Sequence, residues 1–460
     1  MKKFPSIEFV NHASVIITHE GISILSDPWF NDTAFHNGWR LMHELQDNEI
    51  IDILKKITHI YISHEHPDHF RPVFLANKNI KNILIDRKIE FLFQNTKDKR
   101  IVNFLKNHGF KIKELDSNEK IKLNDNIEIQ IIKSAFYDSL LTFKTSDIKI
   151  INLNDCPMKD ENELKKFRKK YGTFDVLLTQ FSYAAWKGGI NNKIYRQVAA
   201  DEKLEVIKTQ ASVLGCKTVI PFASFIYFSN ELNFYMNDSI NTPEKVIRFF
   251  SDKKVNTIFM SPGEIQKTNN LEQNQSSLDF WKEKYNDIDT KYSKKKDKYN
   301  QSINLKDLNY HFEDYKERIF KKNSKLLIFL MSKIKPMNFF QPLKIKLLDH
   351  DKIYRYSIFE GLIEDINIEK YDIKMHSQSL SFIFKNEFGF DTLTVNGCFE
   401  ADHNAFVKTS KTLALGNLNA MGFNLNLGLL LRFDMIFLFL NMLKKVKKNL
   451  KNGKRKKQID

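Results

Sequence analysis

Over the first 265 residues, short apolar or alternating runs recur between polar stretches of helical character. Residues 7–10, 14–18 and 22–26 predict three strands, with Glu20-Gly21 as the turn between the last two. The run ITHIYIS at 57–63 predicts a buried strand that ends in a polar loop. Residues 82–86, 127–132, 140–144, 149–153, 175–179 and 218–221 predict further strands, and the polar stretch 201–212 predicts a helix. Strands mixed with crossover helices imply an α/β layered domain. From 266 to 325 the pattern turns to Lys, Asn, Asp and Gln, which predicts a charged helical linker. A smaller α+β region is expected from 326 to 460, with strands at 379–385 and 392–396 around the turn Phe388-Gly389-Phe390.

The segment 425–443 is apolar and about long enough to span a bilayer, but it contains Arg432, Asp434 and Asn441. Charges at mid-helix are costly in lipid, so a core-packing helix is the first expectation and an interfacial helix the second. Residues 444–460 hold nine Lys/Arg against one Asp, a charge of +8 and half of the net +16. Such a tail is a solvated basic surface or an attachment to anionic membrane. Nucleic acid is not expected, since no aromatic residues interleave with the basic ones.

A hydrophobic share of 42% excludes a wholly disordered or fibrous chain, and 460 residues suggest two to three domains. Cys156, Cys216 and Cys398 are too few for a disulfide framework or a four-cysteine zinc site. None has a His within the two residues after it, so no Rieske pair is present. The N-terminal MKKFPSIEFVNH has no long apolar stretch of the signal-peptide kind, and a cytoplasmic protein is expected.

The strongest chemical signal is His64-Glu65-His66-Pro67-Asp68-His69, directly after the apolar strand. Three imidazoles and a ligand-type carboxylate, Asp68, so close together are hard to explain as packing. Imidazole nitrogen and carboxylate oxygen suit zinc or iron. In an extended loop His64 and His66 point to one side.

These residues resemble the HxHxDH signature of the metallo-β-lactamase superfamily, as do Asp27-Pro28-Trp29 and Asn11-His12-Ala13-Ser14 for its lactonase-type and phospholipase D-type branch. The runs DPWFNDTAFHNGWRLMHEL, INLNDC, FDVLLTQFSYAA and VIPFASF are similar in order and spacing to the hydrolase-like domain of the CMP-N-acetylneuraminate hydroxylase family. The resemblance covers residues 7–263 and implies an αββα sandwich, with a catalytic domain at 1–265 and one or two metal ions at the strand ends. It implies that His64 and His66 bind one metal and Asp68 and His69 another. Asp155 matches the bridging carboxylate, and Asp27 a residue beneath the metal loop.

Two imidazoles of the superfamily pattern are missing. His108 is the only His from 70 to 155, in a helix-ending turn that suits a surface residue, and there is none from 156 to 310. Asp138 is a stand-in ligand. His12, His36 and His43 lie in loops expected to line the mouth, as substrate contacts or as loop structure. Asn230, Asn233, Tyr235, Asn237 and Asp238 form a polar-aromatic patch that either reads a sugar or nucleotide or is plain surface. Gly188-Gly189 suits a close backbone approach or a turn. Lys187, Lys193 and Arg196 could neutralise a phosphate or simply be solvated.

Three functions follow. The leading one is a metal-dependent hydrolase of an ester, lactone or phosphodiester, in which Asp68 also handles the proton of the attacking water. The second, implied by the narrower resemblance, is an iron-dependent hydroxylase of a sugar nucleotide, fed electrons by a separate Rieske partner. The third is a non-enzymatic, membrane-associated binding protein.

Overall fold

A computed structural model describes residues 3–134, 137–334, 339–365, 370–426 and 428. The apolar segment 425–443, but for its first few residues, and the basic tail 444–460 lie outside the described residues. No described helix is long and apolar enough to cross a membrane.

The chain divides into two compact units, residues 1–298 with 395–397, and residues 299–394 with 398–460. The first unit is built on two seven-stranded sheets. One runs in the order Ile265–Lys267, Ser6–Asn11, Ser14–His19, Ile22–Ser26, His59–Tyr61, Glu90–Gln94, Lys111–Leu115. The other runs Asn256–Thr257, Thr218–Phe222, Val176–Gln180, Lys149–Asn154, Ser139–Lys144, Ile127–Lys133, Ile121–Asn124.

Alternation along the strands sorts side chains to two faces. Ile7, Phe9, Val15, Ile17 and Ile24 meet Ile129, Ile131, Leu141, Phe143 and Ile150 in the core between the sheets. Val10, Ile16, Leu25, Ile60, Phe91 and Phe93 face outward, under the helices Asp47–Lys56, Lys78–Asp86 and Arg100–Asn107. On the far side, Leu164 and Leu204, Ile207, Ala211 and Leu214 seat the helices Glu161–Tyr171 and Lys193–Leu214 on the second sheet. The layering is αββα.

Residues 82–86 are helical rather than a strand, as part of Lys78–Asp86. Asn77 caps that helix through its side chain, and the strand follows at Glu90–Gln94. An apolar run of this length suits either element, and the cap decides.

The stretch 266–325 is shared between the units. Trp281 on Gln275–Thr290 is fully buried, stacks on Phe225 with centroids 3.8 Å apart and donates from Nε1 to the Met260 carbonyl at 2.9 Å. The first unit therefore extends past 265. In the second unit, Leu305–Lys322 brings Phe312 and Tyr315 against Tyr356 and Phe384.

That unit holds a five-stranded sheet ordered Gly361–Glu364, Lys352–Ser357, Leu343–Leu347, Ile373–Met375, Phe399–Glu400. Residues 379–385 and 392–396 are helices, Ser377–Lys385 and Gly389–Asn396. Leu380, Ile383 and Phe384 are buried at helical spacing, beneath an N-cap from the His376 side chain.

Candidate metal centre

The site stands at the C-terminal ends of strands. His59–Tyr61 is flanked in parallel by Ile22–Ser26 and Glu90–Gln94, which leaves the loop after it at the middle of the sheet end. That loop carries Ser63 to His69, and it is closed by His69 N and Phe70 N donating to the His66 carbonyl. Glu65 turns away to Arg100, with Oε1 2.7 Å from Nη2.

Asp27 follows Ile22–Ser26 with φ of +39°. Its buried carboxylate accepts from Ser63 N at 2.7 Å, Ser63 Oγ at 2.8 Å, His69 Nδ1 at 3.0 Å and the Asn154 amide. Burial pushes the Asp27 carboxyl up, against the pull of His69 and Ser63. The Ser63 hydroxyl proton is committed to Asp27, so Ser63 Oγ accepts from His64 Nδ1 at 3.0 Å. Both His64 and His69 thus have Nδ1 held and present Nε2 toward the centre.

His66 is arranged the other way round. Its Nδ1 lies 2.8 Å from His64 Nε2, and its Nε2 lies 2.8 Å from Tyr137 Oη. A metal held by His66 Nδ1 leaves Nε2–H to donate to Tyr137.

Two groups of ligand-type atoms result: His64, His66 and Asp155, and His12, Asp68 and His69, each within 4.8 Å. Asp155 faces both, with Oδ2 3.9 Å from His64 Nε2 and 3.6 Å from His69 Nε2. His12 is in the turn between Ser6–Asn11 and Ser14–His19, with φ of +26°, and its carbonyl accepts from Ala223 N. That places its Nε2 3.2 Å from Asp68 Oδ2.

Charge fits a cation here. Burial disfavours a proton on His69, yet Asp68, Asp155 and Asp27 outweigh burial and raise its pKa well above the ordinary 6.5. Burial and His69 hold His64 well below its ordinary value, neutral and able to ligate. Burial opposes ionisation of Asp68, but His69 and His12 keep its carboxyl well below the usual range. Asp155 is depressed likewise, by His64 and His69 against burial. Asp68 Oδ1 and Asp155 Oδ1 are buried without a hydrogen bond, while His69 Nε2 lies 3.0 Å from Asp68 Oδ2. Such atoms are costly unless something pairs with them. Nitrogen and oxygen donors of this kind suit zinc or iron.

The structure therefore brings together His64, His66, Asp68, His69 and Asp155, with Asp27 beneath them. His12, expected at the mouth, stands among the ligand-type atoms. Asp138 and His36 belong to neither group. His43 packs edge-on against Phe280 in a cleft lined by Arg40, Tyr227 and Lys284. His108 sits over Phe104 and reaches its carbonyl.

The polar-aromatic patch is engaged with backbone. Asn230 donates to Asn37 O, Asn233 to Gly38 O, and Asn237 to Phe228 O. Tyr235 donates to Gly188 O at 3.3 Å. Arg196 is fully buried, with both Nε and Nη2 on Asp238 and Nη1 on Gly189 O. These residues staple loops, and Arg196 has no charge to spare for a phosphate. Tyr137 and Asn154 were not legible as site residues, for neither belongs to a ligand-type motif.

Residues 6–186 match the beta-lactamase superfamily domain. The layered architecture is that of the metallo-β-lactamase fold. A Mycolicibacterium smegmatis protein named as a Rieske 2Fe-2S iron–sulfur protein is 27% identical over 222 residues, 46% of this chain and 40% of its own. The cytidine monophosphate-N-acetylneuraminic acid hydroxylase of Danio rerio is 20% identical over 281 residues, 56% of this chain and 44% of its own. The chain thus spans less than half the length of these curated relatives. The solved structure of CmlA, a diiron β-hydroxylase from Streptomyces venezuelae, aligns with a TM-score of 0.40 at 15% identity, over 58% of this chain and 55% of that one.

Proposed function

We propose that the chain is the metal-bearing part of an oxygenase that hydroxylates a small molecule, with electrons from an iron–sulfur partner. The donor set carries this reading. Each of the two adjoining groups consists of two imidazoles and one carboxylate. Two His and one carboxylate with open positions is the set used by non-heme iron oxygenases. The similarity to a hydroxylase and to a Rieske-named protein supports it, and makes a sugar nucleotide the first substrate to test.

The bound metal would supply redox and oxygen chemistry. The chain supplies geometry. His64, His66 and Asp155 would hold one ion, and His12, Asp68 and His69 the other, with Asp155 turned to both. Asp27, Ser63 and Tyr137 fix which ring nitrogen each motif imidazole presents. Trp29 edge-on to His12 and Phe35 edge-on to His66 wall the site with apolar surface and keep water from the ligands.

A second reading is hydrolysis of an ester, lactone or phosphodiester. The same donors suit zinc, which needs neither oxygen nor electrons. Asp68 would then orient the attacking water or take its proton. Iron- and zinc-loaded protein, assayed on sugar nucleotides, lactones and phosphodiesters with and without oxygen and a reductant, separates the two. The expected result is turnover only with iron, oxygen and reductant. Anaerobic turnover by the zinc form would overturn the oxygenase reading and establish the hydrolase.

A further inference from the structure

The second unit turns an apolar surface to water. Its helix Lys325–Lys333 reads KLLIFLMSK, six apolar residues and a serine between two lysines. Ile328 is fully buried and seats the helix on the unit. On the opposite side Leu326, Phe329, Leu330 and Ile334 are 65%, 45%, 48% and 44% exposed. Residues three, four and eight positions after Leu326 share its side of a helix, so the four form one stripe. A contiguous stripe of large apolar side chains in water marks a contact surface.

Two lysines bracket the stripe. Lys325 Nζ stands 5.5 Å from the Phe320 ring centroid, and Lys333 Nζ 5.1 Å from that of Phe329. Among the described residues neither has a carboxylate partner. The apolar segment and the basic tail start beside this helix. Ser324, its N-cap, donates from N to the Leu425 carbonyl at 2.8 Å, and Leu425 N donates to Asn323 Oδ1 at 2.7 Å. The apolar run 425–443 and the basic run 444–460 therefore follow in sequence from the head of the stripe. Residues 427–460 hold ten Lys/Arg and two Asp, so a cover drawn from them would bring positive charge to a face already edged by lysines. An anionic bilayer offers acyl chains to the stripe and phosphates to the lysines.

We propose that the helix Lys325–Lys333 docks the second unit on an anionic phospholipid bilayer. Leu326, Phe329, Leu330 and Ile334 enter the boundary between headgroups and acyl chains. Lys325 and Lys333 extend their amines to the lipid phosphates while their stems lie along the apolar face. The basic tail adds long-range attraction to the same surface. The docking is independent of the metal-centre reading.

The test sediments the full chain with phosphatidylcholine vesicles, with and without about 30% phosphatidylserine. Wild type should bind the anionic vesicles, and more weakly as salt rises. Leu326→Gln, Phe329→Gln and Leu330→Gln together keep every charge, the tail's included, and should weaken binding at least about tenfold. Lys325→Gln with Lys333→Gln should weaken it about tenfold at low salt. Circular dichroism of each variant should match wild type, because the replaced side chains face water. Cys156, Cys216 and Cys398 are buried, so an environment-sensitive fluorophore on Leu330→Cys reports from the stripe. Its emission should shift to the blue on addition of anionic vesicles, a readout that does not depend on the triple variant folding.

Equal vesicle binding by wild type and the folded triple variant would leave the tail as the whole attachment and overturn the proposal, as would no binding by wild type. A fluorophore already in apolar surroundings without lipid would also overturn it, and would assign the stripe to the chain's own segment 427–443 or to a second copy.

Discussion

Asp27 carries more of the centre than its place outside the ligand groups suggests. It holds His69 directly and His64 through Ser63. Asp27→Asn keeps the size and tolerates positive φ, but it offers one acceptor oxygen where the carboxylate offers two. Metal affinity, read by competition with a chelator, should drop about 10- to 100-fold; an unchanged affinity would remove Asp27 from the support of the site. His12 sits in one of the two groups alone, so His12→Ala should bind one ion per chain where wild type binds two. Elemental analysis of both proteins checks this, and two ions in the variant would return His12 to the mouth.

His69 sets the pH dependence of metal binding. Its pKa is raised in the metal-free protein, so near neutral pH it must lose a proton before Nε2 can ligate. Affinity should therefore rise with pH and level off only above that raised pKa. Calorimetric titration at pH 7 in two buffers of different ionisation enthalpy should register about one proton released at that group. No proton release would mean that His69 is already neutral before metal arrives.

At the scale of elements, helix caps and core anchors outrank local composition. The run SLSFIFK alternates polar and apolar residues as a strand would, yet its buried Leu380, Ile383 and Phe384 are spaced for a helix. The charged stretch after 266 reads as linker because a single Trp among Lys and Asn leaves little periodicity. Trp281 nevertheless fills the first unit's core against Phe9, Phe225 and Phe280. Trp281→Ala should cost about 3–5 kcal/mol in denaturant unfolding of the first unit. A loss below about 1 kcal/mol would make the helix Gln275–Thr290 a peripheral attachment.

For the whole molecule, a chain divided into two compact units is expected to unfold in two cooperative transitions on heating. Among the described residues, both groups of ligand-type atoms lie in the first unit. Metal at about 100-fold over its dissociation constant should stabilise that unit by roughly 2.7 kcal/mol and leave the other unmoved. Scanning calorimetry with and without chelator reads this directly. A joint shift of both transitions would show that the units unfold as one.

Much of the centre was written locally. His64, His66, Asp68 and His69 fall within one loop, so proximity along the chain is proximity in space. The strand before them is equally local, because a short continuous apolar run, Ile60-Tyr61-Ile62, is buried on both faces of the sheet. Asp27 and Asp155 were legible only through the resemblance. Tertiary structure decided the rest. His12 is 56 positions from Asp68, and Tyr137 is 71 from His66. No period along the chain encodes such distances. They come from the order in which strands enter the two sheets and from which loop ends lie side by side when those sheets pack. For that reason the absent superfamily imidazoles left the second group incomplete on paper, while the fold completes it with a histidine from the first turn of the chain.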